Sequence, residues 1–437
     1  MTLIDQHPVV PPGLRDEDRD LLMRLLTLPT VSPLEARPGD APPRLWEAQR
    51  AYADAAAEIG FAVIRHASPV PADVDDLVPE VARRAAEADP EFLRGQPSMV
   101  LRLGPALPRA VTVMCNVHLD TVAGLPKIKI NGGRVYGRGA IDAKGPAVSL
   151  LAGVRAAAAA EPAIGRTVGV LIQAVSGEEG GALGTLGTRL LVRDGHVGRL
   201  NLFCEPTGLR LLPRATASAT ALIRTDGEDS VDDRPERGHN ATVLLGHLAA
   251  HLAGTIAHPG DGAVCVAGLH TGHLHNRVYG TGRLLLNLTY PDAAAGRRLE
   301  ELTERAFADG LGAFTAAFRD VPAMRRTARD AARIARLEWV KRGLPALSAV
   351  DSPWARTLAA DAGVDWWPPD EPAFTCDAIW TAGVPGAYTA VFGPGDLAGN
   401  RAHADGEFAE LRDLDEHARA VARLLVAFAR RTREEEL

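Results

Sequence analysis

The chain has 437 residues, enough to bury a sizeable core and to form two domains. Hydrophobic residues make up 46% and charged residues 24%, the profile of a soluble globular protein. With 55 Asp plus Glu against 48 Lys plus Arg, a formal charge of -7, no basic surface is offered to nucleic acid.

The first 13 residues lack a basic segment followed by an apolar run, so no export signal is read there. The most apolar helical patterns are Ala-rich and interrupted by Arg or Pro, too short and too mixed to span a membrane. Four Cys give no disulfide framework, and Cys115, Cys204 and Cys376 sit in or beside apolar runs. A cytoplasmic location with buried thiols is the expectation.

In chain order, apolar spacing predicts helices over 17–26 and 43–60, a strand over 61–65, and a helix over 73–88 interrupted by Pro79. Strands follow over 99–103 and 111–117, the second ending at His118 and Asp120. Past a polar loop, G-R-G-A-I-D-A-K-G-P at 137–146 presents Asp142 just before a helix over 146–160, with Pro146 suited to its first turn. A nearly wholly apolar strand over 167–175 ends at Ser176-Gly177-Glu178-Glu179-Gly180, and a helix over 182–192 comes next. A short strand over 200–204 runs into Glu205-Pro206. This strand–loop–helix order predicts an α/β sheet flanked by helices, with its chemistry at strand ends.

Near Arg214 the pattern changes. Alternation over 215–224, a charged loop over 226–238, helices over 240–255 and 297–318, and a strand over 277–288 weakened by Gly280 and Gly282 make an α+β insert. A helical pattern over 331–340 either closes the insert or returns the chain to the first domain. The predicted boundaries are 1–212 and 331–437 for two parts of a first domain and 213–330 for the insert. The last part reads as a helix over 351–363, a strand over 387–392 followed by Gly393-Pro394-Gly395, a loop holding His403, and a terminal helix over 414–431.

Separate strand-end loops thus carry His118 with Asp120, Asp142, Glu178 with Glu179, and Glu205, and His403 joins them from the last segment. A pair of divalent ions needs a bridging carboxylate with terminal N and O ligands, which this set supplies. Two His and three carboxylates suit zinc first, while cobalt or manganese would also be served and spacing does not choose between them. Adjacent carboxylates after a buried strand repel each other, so Glu178 and Glu179 are either an ordinary solvated acidic turn or a pair neutralised by a cation. In the second case one binds metal and its neighbour is free to take a proton from water.

The residues carry a resemblance over nearly the whole length. H-L-D-T-V at 118–122, G-R-G-A-I-D-A-K-G at 137–145, S-G-E-E-G at 176–180, C-E-P-T at 204–207 and A-H-A-D-G-E at 402–407 resemble, in order, the motifs of the M20 family of metallopeptidases and deacylases. The resemblance implies a zinc-peptidase-like catalytic domain with a central mixed sheet, plus an inserted ferredoxin-like lid and dimerisation domain, so a homodimer. It implies a metal-dependent hydrolase of a small amide substrate, an N-acyl amino acid or a dipeptide. Asp142 would bridge two metals, His118 and Glu205 would complete one ion, and Glu179 and His403 the other. Glu178 would be the general base and Asp120 would orient His118 through its far nitrogen. A cis peptide is implied at Asp142-Ala143.

The pattern departs from the family in the insert. R-P-E-R-G-H-N-A at 234–241 keeps the end of a segment whose histidine polarises the scissile carbonyl, but Val231 stands at the histidine's place. Losing one such donor in a hydrolase costs on the order of 3–4 kcal/mol. Three readings stay open. In the first, His239, His270, His273, His275 or Arg401 substitutes, with Asn276 and Gly393 also facing substrate. In the second, the reaction is a non-standard one, such as acyl transfer forming an amide. In the third, hydrolase activity is lost with the metals retained. Ile379 also stands where several members hold an Arg for a substrate carboxylate, a role open to Arg283 or Arg401.

Overall fold

The computed structural model describes residues 13–435 apart from 38, 125–126 and 257–261. The reading of no export signal in the first 13 residues lies, but for Gly13, outside the described residues. The chain divides into two compact units, one running to Ala215 and resuming at Leu347, the other spanning Thr216–Ala346.

The first unit is built on a six-stranded sheet in the order Phe61–Ala67, Ser98–Leu103, Gly169–Val175, Thr112–His118, Leu200–Phe203, Tyr388–Val391. The Ser98–Leu103 strand is antiparallel to both its neighbours, and the other pairings are parallel, so the sheet is mixed. Thr112–His118 and Gly169–Val175 are buried along their whole length. That is why they read as continuous apolar runs instead of alternating ones. The chain leaves Thr112–His118 for one neighbour and returns on its other side at Leu200–Phe203. The carboxyl end of Thr112–His118 is therefore a switch point of the kind where such sheets hold ligands.

The crossover between Thr112–His118 and Gly169–Val175 contains the Lys144–Ala160 helix, which packs against the terminal Leu411–Glu434 helix. Their close approach needs Gly153, where a Cβ would stand 2.6 Å from the Ala418 carbonyl oxygen. Leu150, Val154, Val421, Leu424 and Leu425 belong to the buried cluster that this pairing completes.

The structure corrects several sequence expectations. Pro79 does not interrupt a helix over 73–88; it caps the start of the Glu80–Ala88 helix, because its ring suits the first turn and not the interior. The helix expected over 182–192 is confined to Thr188–Arg193. The glycines at 180, 181 and 184 take positive φ, which replaces the first part by turns. The polar stretch before Gly137 contains the strands Lys129–Asn131 and Arg134–Tyr136, which join Phe408–Glu410 in a small sheet.

In the second unit a four-stranded antiparallel sheet has the order Ala263–His270, Thr281–Tyr290, Ala217–Asp226, Ala335–Lys341. The Ala241–Thr255, Ala293–Phe318 and Arg325–Ile334 helices accompany it. The strand expected over 277–288 breaks into Arg277–Val278 and Thr281–Tyr290 at Gly280, where the backbone of Gly227 and Glu228 leaves no room for a Cβ. The helix expected over 331–340 ends at Ile334; Ala335–Lys341 extends and pairs with Ala217–Asp226, so sheet pairing overrides local helical spacing. A boundary at 330 would cut the Arg325–Ile334 helix, and the unit continues to Ala346.

His417, on the terminal helix, is fully buried with Nδ1 2.7 Å from the Ser149 hydroxyl, and burial lowers its pKa to about 3. An unfolded histidine titrates near 6.5, so below that pH the unfolded chain takes a proton that the native site refuses. Relative to His417→Gln, the wild type is expected to lose about 1.4 kcal/mol per pH unit as pH falls below about 6.5, with no such loss above it. Urea unfolding of both proteins between pH 7 and about pH 5 checks this; parallel pH profiles would contradict it.

Candidate metal centre

Strand ends bring the first ligand candidates together. His118 closes the Thr112–His118 strand, Glu178 and Glu179 follow Gly169–Val175, and Glu205 follows Leu200–Phe203. Asp142 sits in the turn before the Lys144–Ala160 helix, after which comes a cis peptide to Ala143. His403 lies in the loop before Phe408–Glu410 and takes a left-handed φ of 62°.

Asp142 divides its two oxygens between the two imidazoles. Its Oδ1 is 2.8 Å from His118 Nε2 and its Oδ2 is 2.9 Å from His403 Nε2. Glu205 Oε1 approaches the same His118 nitrogen at 3.4 Å, and Glu179 Oε1 approaches the His403 nitrogen at 3.1 Å. Two groups, His118 with Asp142 and Glu205, and Asp142 with Glu179 and His403, each have ligand atoms within 4.8 Å of one another, and a third joins His118 with Glu178 and Glu179.

The electrostatics call for cations. Burial pushes Glu205 and Glu178 well above the usual carboxylate range, aided by neighbouring acids and opposed by His118. Burial and Asp142 carry Glu179 to about 7. Hydrogen bonding to Asp142 and Glu179 raises His403 to about 11. Burial alone would lower His118, yet Glu205, Asp120 and Asp142 hold it well above its ordinary value. Asp142 itself is held low: its burial is outweighed by the two imidazoles. Glu179 Oε1 is buried without a properly directed hydrogen bond despite His403 beside it. Two imidazoles and converging carboxylates, one of them shared between two groups, are a donor set that fits a pair of divalent cations.

The sequence model of peptidase family M20/M25/M40 matches residues 114–427. The chain belongs to this family. A protein of Aeropyrum pernix described as a LysW-lysine/LysW-ornithine hydrolase is 31% identical over 200 residues, covering 45% of this chain; the chain spans about half of that relative, 54%. The fold is similar to that of aminopeptidase PepT from Bacillus cereus, with a TM-score of 0.65 at 15% identity over 95% of this chain and 99% of that one. It is also similar to an M20 family metallo-carboxypeptidase from Sulfolobus solfataricus, with a TM-score of 0.66 at 12% identity over 95% and 100%.

The M20 chain departs from expectation at Asp120. The far nitrogen of His118 faces the Asp120 backbone oxygen at 2.9 Å, whereas the nearer carboxylate oxygen is 3.7 Å away, beyond hydrogen-bond reach. The carboxylate instead accepts from the Glu179 backbone N–H at 3.0 Å, so it ties one ligand loop to the other. Gly393 lies where a Cβ would strike the Glu205 backbone oxygen at 2.5 Å, which makes it a support for the Glu205 turn. Arg401 is exposed two residues before His403.

The remaining candidates, with Val231, belong to the second unit. His239 is buried with both ring nitrogens engaged, by the Glu228 N–H at 2.9 Å and Asp330 at 3.1 Å. It is a packing residue, not a free donor. His270, His275 and Asn276 are exposed, as is His273, and Val231 is 58% exposed on the short strand facing Arg277.

Three residues around the cluster escaped functional notice in the sequence. Glu407 accepts from Arg138 at 2.6 Å and from the backbone N–H groups of Ile141 and Asp142 at 3.1 and 3.4 Å, which fixes the Asp142 turn. Lys144 is buried and donates to the carbonyls of Leu25 and Leu28; burial lowers its amine to about 7. Asp377 is buried, accepts from the Thr188 hydroxyl, and is raised by burial to about 6. Glu407 and Lys144 lay inside quoted motifs, but only the fold shows what they hold. Glu407→Gln is expected to weaken divalent-metal affinity by about 10–100-fold, read by metal content against a competing chelator. Unchanged affinity would contradict the role given to Glu407.

Proposed function

We propose that this M20 chain hydrolyses the amide bond of a small N-acyl amino acid or dipeptide with two divalent ions, zinc foremost, held by His118, Asp142, Glu179, Glu205 and His403. The observation that carries the reading is the split of Asp142, one oxygen to each imidazole, which makes it the shared ligand. When bound, the ions would polarise the substrate carbonyl and acidify a water. Glu178 takes a proton from the attacking water and returns it to the leaving amine. It is partly open to solvent, and burial with its neighbouring acids favours its protonated form, which suits a group that must hold a proton between two transfers.

Glu179 and Glu205 keep Glu178 free for that task by taking the ligand positions. Arg401, exposed near His403, is the group we assign to a substrate carboxylate in place of the arginine replaced by Ile379. A homodimer through the second unit is the assembly we propose. Its support is Ala263–His270, a strand at the sheet edge with no partner on one side among the described residues and with Leu269 exposed.

The alternative reaction is acyl transfer to an amine, a non-standard chemistry left open by exposed Val231 at the histidine's place. The two are separated by incubating protein loaded with Zn, Co or Mn with N-acyl amino acids and dipeptides, with and without added amine. The proposal expects free amine to be released, and Glu178→Gln to lower kcat by about 10²–10⁴-fold with metal content intact. Product formed only when an acceptor amine is added, or a variant as fast as wild type, would overturn it.

A further inference from the structure

The strands that carry the metal ligands also have a far end. Thr112 and Gly169 begin the two central parallel strands, and each strand runs seven residues to His118 or Val175, about 20 Å away. Beside these starts opens a cavity of about 390 Å³, within the size range of small-molecule sites. Arg102, Arg109 and His196 line it, and no carboxylate does.

Both guanidiniums are underused. Arg102 spends its Nε on the Gly104 carbonyl at 3.2 Å, and Arg109 spends one terminal nitrogen on the Pro385 carbonyl at 2.7 Å. Neither forms an ion pair with any described residue. The acid two residues before His196, Asp194, is already held by Arg65 at 2.5 Å. Each arginine therefore keeps donors to spare in a partly enclosed space. Leu107 and Leu171 supply the main apolar side chains of the wall, and Thr112 stands among the lining residues. The extra residue Ile64, where the register with Ser98–Leu103 slips, adds to it.

We propose that this cavity binds a small organic oxyanion, a carboxylate or a phosphate, between Arg102 and Arg109, with the apolar part of the ligand against Leu107 and Leu171. Guanidinium forks match both headgroups, and the absence of a lining carboxylate leaves the positive charge uncompensated. The site lies at the opposite end of the strands from His118, so it is separate from the metal cluster and does not depend on the reaction assigned there.

The test is calorimetric titration of the metal-loaded protein with inorganic phosphate and, separately, with hexanoate, in low salt. Wild type is compared with Arg102→Gln/Arg109→Gln, so that any binding at the metal centre, common to both, cancels. The proposal expects at least one probe to bind wild type and each lost guanidinium to weaken it by about tenfold, with metal content unchanged. Phosphate alone binding assigns the site to phosphate headgroups; tighter hexanoate assigns it to carboxylates with an apolar tail. Should the double variant not fold, Leu107→Glu, in the loop before Arg109, places a repelling carboxylate in the same space and is expected to abolish the same binding. Neither probe binding wild type, or equal binding to wild type and a folded variant, would overturn the proposal.

Discussion

A concentration of buried negative charge at the carboxyl ends of the parallel strands governs the first unit. Asp142, Glu178, Glu179 and Glu205 converge there, and Asp120, Asp377 and Glu407 are buried close by. Two imidazoles cannot compensate so many acids, and carboxylates removed from water keep their charge only when paired. The alternatives are to hold protons, as the raised pKa values of Glu178, Glu179 and Glu205 indicate, or to hold cations. An arrangement that brings oxygens of Asp142, Glu179 and Glu205 close to imidazole nitrogens, and shares Asp142 between two groups, favours cations.

The surrounding residues make this arrangement rigid. Glu407 holds the Asp142 turn through backbone N–H groups and Arg138, and Asp120 reaches across to the Glu179 backbone. Asn116 donates to Gln173 at 2.8 Å and to Thr188 at 3.0 Å, and Thr188 in turn donates to Asp377. The Asp142 turn and the Glu179 loop are thus each tied to a neighbour by a buried hydrogen bond, which fixes ligand geometry better than the loops could alone. In the second unit Val231 and the imidazoles of His270, His273 and His275 are exposed.

Much of this was legible in the sequence for a physical reason. Strands buried on both faces are continuous apolar runs, so their ends, and the polar residues just beyond, stand out: His118, Glu178, Glu179 and Glu205 were all found this way. Asp142 stands out by the glycine-rich loop before its helix, whereas His403 lies in a turn with no periodicity to mark it. What was misread depends on long-range pairing. Ala335–Lys341 has helical spacing yet is drawn into a sheet, and Ala263–His270 was overlooked because an edge strand exposed along most of its length carries little apolar pattern. The hydrogen bonding of His239 and Asp120 was illegible for the same reason: the partners Asp330 and Glu179 are 91 and 59 residues away.

The central claim is that one carboxylate joins two ion sites. The most direct measurement is metal stoichiometry of purified, zinc-loaded protein by elemental analysis, for wild type, His403→Ala and Asp142→Ala. The account predicts two ions per chain in wild type, one in His403→Ala, and neither held firmly in Asp142→Ala. A wild type that binds a single ion, or an Asp142→Ala variant that keeps both, would contradict it.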